Sequence, residues 1–111
     1  MKTTFIYELV DPRTKEPRYV GYSKAPKTRL SSHVSEARTK HLYKMPRISI
    51  KEYWIIELLE QGDLPIMNVI GEVPAEDRKY WEAFYAEVYR ECDLLNTGDI
   101  NKRGKHKTRG Y

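Results

Sequence analysis

Thr4-Phe5-Ile6-Tyr7-Glu8-Leu9-Val10, then Asp11-Pro12, then Arg18-Tyr19-Val20-Gly21-Tyr22 is the stretch whose reading settles the architecture. The first run is dense in β-branched and aromatic residues and reads as a strand. Asp11-Pro12 opens a turn, and the polar residues to Pro17 carry the chain back into a second strand over 18–22, making a hairpin. Its strands deliver two phenols, Tyr7 and Tyr19. Eight residues past Gly21 stands Arg29, and His33 follows one helical turn later, on the same helix face. Two phenols, a guanidinium and an imidazole gathered this early point to a site that handles a phosphate.

Outward from the hairpin the remaining elements follow. Pro26 sits where a helix begins, and the helical pattern runs to about Arg38. The stretch Thr39 to Pro46 is basic and reads as loop. Ser49 with Glu52 has the form of a capping box, opening a helix through Tyr53, Trp54, Leu58 and Leu59 that Gly62 stops. Ile66 to Val73 reads as a third strand, β-branched and interrupted by Gly71. Pro74-Ala75-Glu76-Asp77 places proline and then acids in a first helical turn. That helix is expected to reach about Glu91, and Leu94-Leu95-Asn96 closes the body. The expected fold class is α/β in content, of the α+β kind: a small three-stranded antiparallel or mixed sheet flanked by about three helices. One domain is expected over residues 1–99, with a basic, flexible tail over 100–111.

Helix geometry separates the acids of the last helix. At about 100° per residue, Tyr80, Trp81, Phe84, Tyr85 and Val88 form one apolar face, assigned with Trp54 to the core. Glu82 lies on one flank, with Arg78, Tyr85, Ala86 and Tyr89 as neighbours. Glu87 lies on the other, beside Ala83 and Glu91. A carboxylate bordered by an alanine and two phenols has space for a metal and a phosphate. The spacing leans to Glu82 without deciding against Glu87.

A chain of 111 residues supports one modest core. It has no apolar run of membrane-spanning length and no signal-peptide pattern at its start. Cys92 is the single cysteine, so no internal disulfide forms and a reducing cytoplasm is the simplest home. One Cys and three scattered His speak against a structural zinc site. The formal net charge is +4, yet Lys102, Arg103, Lys105, Lys107 and Arg109 follow one another with no acid among them, which leaves the rest of the chain at about −1. Such a segment suits backbone phosphates of nucleic acid; a solvated, frayed terminus is the other reading.

The ordered set resembles the GIY-YIG nuclease family. The run Tyr19-Val20-Gly21-Tyr22-Ser23, Pro26, Arg29, Leu30, His33 fits that family's order and spacing. So do Trp54-Ile55, Leu58, Gly62 and Pro65, then Glu82-Ala83-Phe84-Tyr85-Ala86, Tyr89-Arg90 and Leu94-Leu95-Asn96. The likeness spans Thr4 to Gly98. Phe5 replaces the first motif's glycine, Val20 replaces isoleucine, and Thr97-Gly98-Asp99 replaces a frequent glycine pair.

The resemblance implies a DNA endonuclease that hydrolyses phosphodiester bonds with one divalent metal ion, Mg²⁺ or Mn²⁺, held by Glu82. It further implies that Arg29 holds the scissile phosphate, Tyr7 faces the attacking water, Tyr19 bonds a phosphate oxygen or positions that water, and Asn96 ties the closing segment to the site. Many members take their specificity from a separate DNA-binding domain, so a targeting domain or protein is expected, and a phage or mobile element is the expected setting.

The base is left open between two groups. A phenol with pKa near 10 is about 0.1% ionised at pH 7, a cost of roughly 4 kcal/mol. His33, mostly neutral there, has the basicity to accept a proton directly or through Tyr7. The favoured arrangement has Tyr7 touching the water, assisted by His33 and the metal. Two rival functions remain: a non-cleaving module of the same fold that grips branched or duplex DNA, and an interaction protein using the Tyr- and Trp-rich face of the last helix.

Overall fold

The β-branched and aromatic runs form β1 (Thr3–Val10) and β2 (Pro17–Ser23) in the structure, a computed structural model that describes residues 2–92 and 94–96. With β3 (Ile66–Pro74) they make a sheet of order β2-β1-β3, antiparallel at both pairings. The sheet is therefore antiparallel and not mixed, and the fold is a small α+β one. Tyr7 pairs with Gly21 and Leu9 with Tyr19. Between β1 and β3 the register slips at Ile6/Tyr7, which leaves Ile70 as an extra residue in β3.

Helix α1 (Pro26–Leu42) starts on its proline and runs one turn past the expected end, so Thr39–Leu42 are helical and not loop. The added turn is held by a neighbour. Lys40 Nζ reaches Glu52 Oε1 at 3.0 Å, and His41 Nε2 lies 3.7 Å from Glu60 Oε2, both acids on α2 (Ile50–Glu60). Basic groups at a helix C-terminus also complement its dipole. The expected capping box is present: Glu52 N–H donates to Ser49 Oγ at 3.1 Å, and Ser49 N–H donates to Glu52 Oε1 at 2.9 Å. Past α2, Gly62 takes a φ of +80°, which glycine adopts without a Cβ penalty.

Tyr7 and Leu9, alternate residues of β1, point to the face covered by α1 and α2. There they pack with Ala37, Trp54, Ile55, Ile56 and Leu58. Trp54 is in the core as expected, and its Nε1–H donates to Asp11 Oδ2 at 3.0 Å. Asp11 also accepts from Arg13 N (2.8 Å) and Arg13 Nε (3.0 Å) at Oδ1, and from Arg13 Nη2 (2.8 Å) at Oδ2. These donors, Arg13 first, outweigh the cost of burial and hold the Asp11 carboxyl well below the usual range. A depressed folded-state pKa adds stability that is complete above the unfolded value near 3.9 and is lost as pH falls below it. Asp11→Asn is therefore expected to cost about 1–3 kcal/mol at pH 7. In melts at a series of pH values, the gap to wild type should close below about pH 4; a gap independent of pH would refute the ionic role.

The last expected helix is broken into three pieces: a 3₁₀ turn Ala75–Asp77, α3 (Arg78–Val88) and a second 3₁₀ turn Arg90–Cys92. Its apolar face does not enter the core. Tyr80 is 64% exposed, Phe84 43% and Val88 57%, while Trp81 is half-buried against Tyr80, Phe84 and Tyr85. The sheet takes the adjoining flank of α3 instead. Arg78 lies over the Tyr22 ring at 5.5 Å, and the Tyr85 hydroxyl sits 3.5 Å from the carbonyl of the bulged Ile70.

The closing segment runs along the free edge of β2. Leu95 N–H donates to the Arg18 carbonyl at 2.6 Å. An unpaired strand edge is a site for unwanted pairing, and this segment covers it. Among the described residues no helix is long and apolar enough to cross a membrane. The five basic residues Lys102, Arg103, Lys105, Lys107 and Arg109 lie outside the described residues.

Candidate active site

Gly21 is the pivot of the site. It stands directly opposite Tyr7 in the β1–β2 ladder, and the Tyr7 phenol lies across it. A Cβ at this position would come within 2.6 Å of Tyr7 Oη, 2.8 Å of Tyr7 Cζ and 3.0 Å of a Tyr19 ring carbon. Two aromatic side chains thus share the space that any other residue would fill. Gly21→Ala is expected to cost about 1–3 kcal/mol in overpacking. It should also lower any turnover about 100-fold by displacing Tyr7. A thermal melt with a turnover assay checks this, and an alanine variant that keeps wild-type activity would mean the Tyr7 position is not critical.

Around this glycine lies a cavity of about 250 Å³ lined by Tyr7, Tyr19, Gly21, Tyr22, Arg29 and Glu82. Four elements supply them: β1, β2, α1 and α3. Arg29 stands at the fourth residue of α1, half-exposed, its Nη1 3.8 Å from Glu36 Oε2. Glu82 stands one turn after Arg78 on the sheet-facing flank of α3. Glu87, the other candidate acid, is exposed and paired with Arg90 at 2.6 Å, away from the cavity lining. Tyr22 completes the lining; the sequence placed it in the second strand and in the run that carries the resemblance, without a role at the site.

His33 is not on the cavity. It is fully buried behind Tyr7, with its Nε2 2.8 Å from Tyr7 Oη. Direct contact with a ligand in the cavity is closed to it; it touches the lining through a hydrogen bond to Tyr7 and an edge-on contact with the Tyr19 ring. Burial first, then the charges of Lys51 and Arg29, push its pKa down to about 3, so the ring is neutral at pH 7.

Asn96 is also outside the cavity. Its amide behaves as a rung of the sheet: Oδ1 accepts from Val20 N–H at 2.9 Å and Nδ2 donates to the Val20 carbonyl at 2.6 Å. Val20 sits between Tyr19 and Gly21, so Asn96 fixes the backbone that carries both. The closing segment is tied to the site by this side chain.

Lys51 is the residue the sequence reading missed. Its Nζ lies 3.0 Å from His33 Nδ1 and 5.0 Å from the centre of the Tyr19 ring. A signal was present. Lys51, Ile55 and Leu58 are spaced i, i+4, i+7, and the latter two are fully buried. A cation on a buried stripe asks for a partner.

Burial leads the electrostatics of the site. Burial raises the Tyr7 phenol above its ordinary range; Tyr19 and Glu82 add to this and Arg29 opposes it. Tyr19 is raised by burial and by Glu82, again against Arg29. Burial also raises Glu82, with Lys79 opposing. A divalent cation beside Glu82 would favour the carboxylate that burial disfavours. The described residues hold no group of three or more His, Cys, Asp or Glu. The cavity lining offers one carboxylate in a space with room for several waters, a donor set of the kind that suits an ion that keeps most of its waters. No family model matches this chain, no curated protein matches it, and no solved structure does.

Proposed function

We propose that the chain is a metal-dependent DNA endonuclease of the GIY-YIG type, hydrolysing phosphodiester bonds. The observation that carries the reading is the convergence of Tyr7, Tyr19, Arg29 and Glu82, from four elements, on one cavity around Gly21. Arg29 holds the phosphate oxygens with its planar fork and meets the charge that develops on them. Tyr7 Oη faces the attacking water, and its own proton passes to solvent on the cavity side. As the water oxygen bonds to phosphorus the water proton passes to Tyr7 Oη, while the bond to the sugar oxygen breaks and that oxygen takes a proton from solvent. Tyr19 bonds a phosphate oxygen or steadies the water. His33 supports Tyr7 from behind, and Asn96 keeps Tyr19 and Gly21 in register. Mg²⁺ or Mn²⁺ held by Glu82 would supply positive charge to the phosphate and to the departing oxygen.

DNA is the substrate, with Lys102, Arg103, Lys105, Lys107 and Arg109 proposed as backbone contacts. A separate targeting domain or protein supplies site choice, and the cytoplasm, in a phage or mobile-element setting, is where such an enzyme would meet DNA. The test is nicking of supercoiled plasmid and of a branched duplex, with Mg²⁺ and with EDTA. Metal-dependent cutting on either substrate supports the reading. A folded protein that binds branched DNA and cuts neither substrate would be a binding module instead.

A further inference from the structure

We infer that Lys51 fixes the tautomer of His33, and through it the direction in which the Tyr7 hydroxyl points. Three side chains in a row carry the argument: Lys51 Nζ lies 3.0 Å from His33 Nδ1, and His33 Nε2 lies 2.8 Å from Tyr7 Oη. An ammonium has protons to give and no lone pair to offer. His33 Nδ1 must therefore be the bare, accepting nitrogen, and the ring proton sits on Nε2. That N–H donates to Tyr7 Oη, so the phenol accepts on its buried side and its own proton points elsewhere, the cavity being the open side.

The groups around Lys51 come from every element packed against it. The Tyr19 ring of β2 lies 5.0 Å away and favours the ammonium as a cation–π partner. Burial first, then Arg29 and Lys40 of α1, lower the Lys51 pKa, while Glu52 of α2 and Glu36 of α1 support its charge. His33 in turn has no site left for the Tyr7 proton, since one nitrogen is protonated and the other is occupied by Lys51. His33 is thereby a donor that stabilises an oxyanion at Tyr7, and not the base. Lys51 is a positioning residue, acting on the cavity through two intervening side chains, His33 and Tyr7.

The geometry stands without the endonuclease reading; the consequence for turnover rests on it. The experiment is ¹⁵N–¹H correlation of the His33 ring at neutral pH, its signals identified by their loss in His33→Gln. Wild type is expected to carry the proton on Nε2 with Nδ1 bare. Lys51→Arg, still only a donor, should keep that pattern. Lys51→Glu replaces the donor with an acceptor, so Nδ1 should gain a proton and plasmid nicking should fall about tenfold or more, as when an outer hydrogen-bond partner of an active-site imidazole is lost. A protonated Nδ1 in wild type, or a bare Nδ1 in Lys51→Glu, overturns the inference. If Lys51→Glu does not fold, the wild-type and Lys51→Arg spectra still decide it. The expected tautomers in a protein that nicks no DNA would support the role of Lys51 and count against the endonuclease reading alone.

Discussion

Glu82→Gln is expected to lower the cleavage rate at least 1,000-fold, about 4 kcal/mol in the barrier, while the protein melts at the same temperature or slightly higher. The two halves of that result have one cause. Burial raises the Glu82 carboxyl, so the folded state bears a charge it would shed if the pH were lower. A carboxyl whose folded-state pKa is raised binds protons more tightly in the native state, and stability falls as pH rises through the ordinary glutamate value towards the raised one. Glutamine keeps the shape and removes the charge, which relieves the cost. It also removes the carboxylate in the cavity lining, and with it the proposed hold on the cation. DNA binding should be unchanged or tighter, because a negative charge facing a phosphate is gone. Cleavage kinetics with Mg²⁺, a melt and a binding isotherm on one sample check all three. If cutting survives, the ligand is not Glu82; Glu87 is engaged with Arg90 and exposed, so the metal assignment itself would then fail.

What was legible in the sequence is what short-range geometry dictates. Tyr7 and Tyr19 come from one hairpin, and the turn at Asp11 is fixed by the Asp11 carboxylate accepting the Arg13 backbone N–H two residues on. Arg29 and His33 share a face because they are four apart on a helix. The Ser49/Glu52 cap is likewise local. Tertiary choices were not legible. Periodicity identified the Tyr80–Phe84–Val88 stripe of α3 but carried no information on which flank the sheet would accept; a bulged carbonyl at Ile70 and the Tyr22 ring drew in the Arg78–Tyr85 flank. The last turn of α1 depended on Glu52 and Glu60, acids more than ten residues away on another helix. Lys51 meets His33 across 18 residues, by the packing of α1 on α2 alone.

Arg29→Ala is expected to slow the chemical step about 100- to 1,000-fold, roughly 3–4 kcal/mol, with little change in stability or in DNA affinity. Its guanidinium is half-exposed, with a loose ion pair 3.8 Å from Glu36 and a hydrogen-bonding interaction with the Tyr7 hydroxyl, so its removal leaves no buried charge alone. Equilibrium binding should lose one phosphate contact, a salt slope smaller by about 1. The chemistry loses more. In the cavity Arg29 is the residue whose charge opposes the raised pKa of both Tyr7 and Tyr19, so its loss makes the Tyr7 phenolate harder to form while also removing the fork that meets charge on the phosphate. Two roles lost together should appear as equal falls in kcat and kcat/KM. Arg29→Lys keeps a charge without the planar fork and should recover part of the loss. A variant that raises KM and leaves kcat intact would reduce Arg29 to a phosphate anchor, and the base at Tyr7 would need its positive charge from Glu82's cation alone.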